Sequence, residues 1–308
     1  MHCLLATLED DGIINNPVDK FDEVIENKKV ICFSDGNRLT LVIEFKNEEL
    51  DDIVSLYYDL ESIIFFYFGF FPKVISLSID NQEIDLSNRA PRFIISGISH
   101  WQSFKLCDIS EKSINQKVFE SYKKLNCFPI YSMQTLISKG YVHVLIDHKL
   151  ILLLHVIEGF LENTNFLNFA ISKGNDLCYK NKIELFCKKY FFRYHNNNDL
   201  QILDILNLSE EDFCQTLTDT RHWYSHFLKE HKKQKRLKDG NDMIYVFTIL
   251  FLITRLNVLD FLGIDINDDG IISMFLHIQD WIIESKGLSA TYHYRSNSYR
   301  FKEMPEKL

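Results

Sequence analysis

The apolar residues of this chain keep two different periods, and the change between them near Ser113 constrains the fold more than any other feature. Upstream, β-branched runs stand between turn signals. Residues 29 to 45 (KVICFSDGNRLTLVIEF) hold two such runs around Asp35-Gly36-Asn37, a triplet suited to a tight hairpin, so strands open the domain. From Glu48 to Phe68 the positions Ile53, Leu56, Leu60, Ile63 and Ile64 recur at three and four, which predicts an amphipathic helix ending near Gly69 and Pro72. Lys73 to Ile79 and Arg92 to Ile95 return to β character across the polar stretch Asp80 to Arg89. Downstream the period is helical. Helices are expected over Val118 to Ser138, Val142 to Glu162, Lys182 to Tyr194, Leu200 to Leu206, Glu210 to Lys229 with a break near Thr218, Asp242 to Phe261 and Ile271 to Glu284. The expected fold class is α+β: a small mixed α/β domain over residues 1–110, a candidate sensing or regulatory unit, followed by an all-α helical bundle over 111–308.

Composition narrows what such a chain can do. With 46% hydrophobic residues over 308 positions it can fill sizeable cores. A formal charge of −9 excludes a protein that coats nucleic acid along its whole surface, while leaving room for a local basic patch. The seven cysteines are scattered and include no C-x-x-C pair, which reads as a reduced, cytoplasmic chain without a zinc or redox site. No secretory signal is apparent. Two apolar segments, Leu56 to Phe71 and Met243 to Gly263, invite a membrane reading. The first carries Asp59 and Glu61, the second Arg255 and Asp260, so buried helices are expected and no membrane contact.

The segment Thr218 to Phe227 reads TDTRHWYSHF. Asp219 or Thr220 is placed to cap a helix beginning at Arg221, where free N–H groups and a guanidinium together would suit phosphate. His226 follows five residues on, and imidazole is the side chain best able to exchange a proton with an RNA 2′-hydroxyl near neutral pH. Residues five apart on an ideal helix stand about 140° apart. Arg221 must therefore reach round the helix, use a distorted first turn, or meet the His226 of a second subunit. His222 and His226 do share a face, but no Glu falls between them and no third metal ligand is evident. Lys232, Lys233, Lys235, Arg236 and Lys238 follow directly, as an RNA-backbone segment or a solvated charge run. Tyr224 is a candidate for stacking on a base, or for packing with Trp223. Glu158, on the apolar stretch LLLHVIEGF, would need a buried partner such as Arg221 or His226. Asp265 to Gly270 matches the opening of a calcium loop, but Leu276 stands where the closing Glu belongs, so a helix cap is expected instead.

R-x-x-x-x-H late in a helical bundle resembles the signature of HEPN ribonucleases. The filling Trp223-Tyr224-Ser225, with Leu217 to Thr220 ahead of it, is most similar to the C-terminal domain of ApeA-type anti-phage proteins. Glu61 to Ile79 is similar to a helix, turn and strand ahead of that domain, and the resemblance runs over residues 48 to 284. It implies a homodimer, metal-independent cutting of RNA to a 2′,3′-cyclic phosphate with no cofactor, and restraint until infection supplies a trigger. The resemblance implies a larger N-terminal sensing region, much of which is expected to be missing or reduced here. Read from the groups available, His226 is general base, Arg221 holds the phosphate, and His222 and Glu158 contribute around them. The RNA partner, tRNA among the candidates, is set against two alternatives: a catalytically silent HEPN-like module binding RNA, nucleotide or protein, and a purely structural interaction protein.

Overall fold

A computed structural model describes residues 2–9, 20–35, 38–69, 73–84, 114–125, 145–164, 178–197, 199–226 and 235–288. Strand patterning in its N-terminal part is strict. In β1 (His2–Glu9) the residues Leu4, Ala6 and Leu8 are fully buried, as are Leu39, Leu41 and Ile43 in β4 (Arg38–Phe45), so alternate side chains line one face. With β2 (Lys20–Ile25), β3 (Lys28–Asp35), β5 (Lys73–Ile79) and the two-residue β6 (Gln82–Glu83) they form a six-stranded antiparallel sheet in the order β2-β3-β4-β1-β5-β6. Asp35 pairs with Arg38 across the expected hairpin, and the β1–β5 register shifts between Thr7 and Leu8.

The strands at β1 and β2 escaped the periodicity argument. In β2 only Phe21 and Ile25 are fully buried, because it is the sheet edge and its outer side chains meet water. The expected strand over Arg92 to Ile95 lies outside the described residues.

Helix α1 (Leu50–Phe68) lies against β4 and buries Ile53, Leu56, Leu60, Ile63 and Ile64, the residues that predicted it. It ends at Gly69 in the left-handed conformation (φ 78°), with the Gly69 N–H donating to the Phe65 carbonyl. Helix α2 (Gln116–Lys124) is capped by the Asn115 side chain and ends with Leu125 extended; the rest of the helix expected to Ser138 lies outside the described residues.

Four long helices and several short ones follow among the described residues: α3 (Ile146–Asn163), α4 (Tyr179–Cys187), a π-helical turn (Lys188–Phe192), α5 (Arg193–Asn196), α6 (Ile202–Ile205), α7 (Glu210–His226), α8 (Gly240–Leu262) and α9 (Asp268–Ser285). The helix expected over Lys182 to Tyr194 thus carries a π turn, which aims Phe191 at Phe213 and Phe275 with ring centroids 5.6 and 5.4 Å away. Asn267 caps α9 by accepting from the Gly270 N–H at 2.6 Å, and Asp268 accepts from Arg193 and Tyr194, so the acidic loop is a cap as expected.

The chain divides into two compact units. One comprises Met1–Leu145, His155–Leu167 and Thr254–Ile266; the other Ile146–Leu154, Asn168–Ile253 and Asn267–Leu308. Helix α8 is long and apolar enough to cross a bilayer by length and composition, and 83% of its apolar window is buried. Protein packing accounts for that apolarity. The charge it carries is accounted for in the first unit: Arg255, 1% exposed, donates from Nε to the Phe66 carbonyl at 3.1 Å and from Nη2 to the Tyr67 carbonyl at 2.7 Å. It thereby satisfies carbonyls at the end of α1 that have no partner within the helix.

Candidate active site

Helix α7 starts earlier than its motif suggests and does not break. The Ser209 hydroxyl accepts from the Asp212 N–H at 3.0 Å, and Glu210, Glu211 and Asp212 fill the first turn against the positive helix end. The threonines expected to interrupt or cap it are satisfied within it. Thr218 donates to the Cys214 carbonyl at 2.8 Å and Thr220 to the Thr216 carbonyl at 2.6 Å, both four residues back. Arg221 therefore stands near the C-terminal end of α7, and the reading of a helix that begins at Arg221 is corrected. Its own helix offers no free N–H groups there, and the local dipole favours cations.

The positive helix ends at this site come from other elements. Helix α3 begins after Leu145 and α4 after Cys178, neither with a side-chain cap. Tyr179, first residue of α4, presents its ring to Arg221, whose guanidinium carbon lies 4.4 Å from the ring centroid. The same tyrosine donates its hydroxyl to the Leu154 carbonyl on α3 at 3.1 Å. The Asp147 carboxylate, in the first turn of α3, accepts from the His148 N–H at 2.8 Å and stands near enough to the Tyr224 hydroxyl to act on it electrostatically. Burial chiefly, and the Asp147 carboxylate beside it, raise the Tyr224 phenol, while Arg236 pulls the other way.

Trp223 is held between two neighbours, with the Tyr224 ring edge-on at 4.7 Å and the Arg236 guanidinium 3.7 Å over its face. Arg236 belongs to a strap that runs back along α7. The Asp219 carboxylate accepts from the Lys235 N–H at 2.9 Å, the Thr220 hydroxyl accepts from the Leu237 N–H at 3.0 Å, and the Lys235 ammonium pairs with Asp212. Asp219 and Thr220, expected as caps, are what dock this strap. Beside it lies a cleft of about 480 Å³ whose wall includes Lys235, Arg236, Lys238, Asp212, Asp239 and Asp242.

The candidate residues are placed as follows. Arg221, Tyr224 and Arg236 are half-buried around one end of α7, His222 is exposed on it, and Lys235 and Lys238 are exposed on the strap. His226 is the last residue of α7, and its side chain, with Lys232 and Lys233, lies outside the described residues. Glu158 is half-buried rather than buried, about 16 Å further along α3 from Asp147 on nearly the same helix face. Tyr224 is committed to Trp223 beside Asp147, and Arg236 to Trp223, which favours packing for both aromatics. Among the described residues no group of three or more His, Cys, Asp or Glu side chains could hold a metal ion.

Spacing did not reveal Asp147 and Tyr179. Each is the unremarked first-turn residue of a helix far upstream of the motif, and only packing brings it to α7. Residues 137–268 match the family model described as Apea-like HEPN, a span that contains the whole of α3 to α8 and the motif. No curated protein and no solved structure matches the chain. HEPN domains are generally RNases, so at family level the match supports a nuclease-like or defence role.

Proposed function

Starting from the Apea-like HEPN domain that this chain carries in residues 137–268, we propose that it is a metal-independent endoribonuclease of anti-phage defence, cutting RNA through its own 2′-hydroxyl. The observation that carries the reading is the setting of Arg221. Its guanidinium is held on the ring of Tyr179, the first residue of α4, near the end of the R-x-x-x-x-H helix. A guanidinium held beside the start of a helix is a combination suited to a phosphodiester.

In the proposed step His226 removes the 2′-hydroxyl proton and the oxygen attacks the adjacent phosphorus. The bond from phosphorus to the 5′-oxygen breaks. The departing oxygen takes a proton to become a 5′-hydroxyl, and the other fragment ends in a 2′,3′-cyclic phosphate. Arg221 stabilises charge on the non-bridging oxygens as it develops. The five-residue spacing, with Arg221 turned to Tyr179, supports a site shared by two copies, the Arg221 of one meeting the His226 of the other. His222, exposed one helical turn before His226, would contribute at the same face, and Lys238 and the basic residues ahead of the strap would meet the RNA backbone.

The test is a gel assay of wild type and His226→Ala on tRNA and total RNA in excess EDTA. Cutting by wild type alone is expected, with products that bear cyclic phosphate. Cutting that EDTA abolishes, or that His226→Ala retains, refutes the mechanism. A catalytically silent HEPN-like module binding RNA, nucleotide or a protein partner is the second reading, and the commitment of Lys235 to Asp212 and of Arg236 to Trp223, two cations an RNA backbone would need, favours a nucleotide or protein partner within it. It expects no cutting of RNA by either protein.

A further inference from the structure

We infer that Tyr179 is a positioning residue for Arg221, holding the guanidinium in one orientation ready for the scissile phosphate; this rests on the nuclease reading above. Tyr179 is itself fixed at both ends. Its backbone opens α4, and its hydroxyl donates to the Leu154 carbonyl on α3 at 3.1 Å, so the long axis of the ring is pinned at both ends. Arg221 lies over the ring face at 4.4 Å. Stacking on an aromatic uses the flat face of a guanidinium, whereas forking onto two phosphate oxygens uses its N–H edge, so the two contacts do not compete for the same surface.

A long flexible side chain loses rotamer freedom when it is ordered. On Tyr179 that ordering is complete before RNA arrives, and a charge-stabilising group held in place beforehand acts mainly on the transition state. Arg221 is thus located by α4 through its side chain.

The test compares wild type with Tyr179→Phe and Tyr179→Leu in kcat and KM on RNA, together with the ring-current shift of the Arg221 Nε–H proton in NMR spectra. Tyr179→Leu is expected to lower kcat about tenfold, equivalent to about 1.4 kcal/mol in the barrier, with KM nearly unchanged, the fold retained by circular dichroism at the assay temperature and the upfield shift lost. Tyr179→Phe keeps the ring face and loses only the anchor, so it should retain the shift and lose about two- to threefold in kcat, within what a partly preserved cation–π contact supplies. Wild type and Tyr179→Leu cutting with equal kcat overturns this inference while the nuclease reading stands. A wild type that cuts no RNA overturns both.

Discussion

Replacing Gly69 by alanine should cost about 3–5 kcal/mol, against about 1–2 kcal/mol for the same change at Gly263. Both glycines follow a helix in the left-handed conformation, at φ 78° and 82°, and both lie in the same compact unit. Alanine in that conformation costs about 1–2 kcal/mol at either site. The surroundings differ. A Cβ on Gly263 would meet nothing within 4 Å, whereas on Gly69 it would stand 2.5 Å from Nη1 and 2.7 Å from Cζ of Arg255. The guanidinium would have to withdraw by about 1 Å to reach ordinary contact distance. Arg255 is 1% exposed and cannot swing into water. Withdrawal strains its bonds to the Phe66 and Tyr67 carbonyls, and one hydrogen bond to a charged group is worth about 1.5–3 kcal/mol. Denaturant unfolding followed by circular dichroism measures both variants, with the slope checked for constancy. Equal costs at the two glycines would refute the view that Arg255 closes the end of α1.

Thr220→Val removes the acceptor of the buried Leu237 N–H, so stability should fall by about 1–3 kcal/mol and hydrogen exchange at that amide should rise. The Lys235 hydrogen bond holds the Asp212 carboxyl below its usual range. A depressed folded pKa contributes above the unfolded value and is lost as pH falls through the folded one, so acidification should make the strap more sensitive to protease, and Asp212→Asn should abolish that dependence. Burial pushes Cys214 up to about 12 and Cys187 well above the ordinary thiol value, while Cys178 is exposed. At pH 8 an alkylating reagent should label Cys178 in the native protein and the other two only after unfolding, as read by mass spectrometry.

Long-range regularities in the chain translated directly into elements. The positions spaced by three and four in α1, the Asp35-Gly36-Asn37 turn and the uniformly apolar run of α8 each have one dominant structural solution, while the likeness to an HEPN domain, matched over residues 137–268, rested on the Arg221 to His226 motif and its filling rather than on periodicity. Local signals with two solutions were less informative. Thr218 and Thr220 are equally able to cap a new helix or to bond four residues back inside an existing one. In the fold Ser209 caps α7 ahead of Glu210, which leaves the Asp219 and Thr220 side chains to accept from the strap.

By itself, then, the sequence determined that this chain has a sheet-bearing N-terminal part, a helical C-terminal part and an Arg-to-His motif on one of its helices, because periodicity and side-chain chemistry are properties of neighbouring residues. Tertiary structure alone decided what surrounds that motif. Tyr179 and Asp147 reach it from the starts of two other helices, and Arg255 closes the end of α1 from a helix far along the chain. Such contacts depend on packing between segments distant in sequence, which no local pattern encodes.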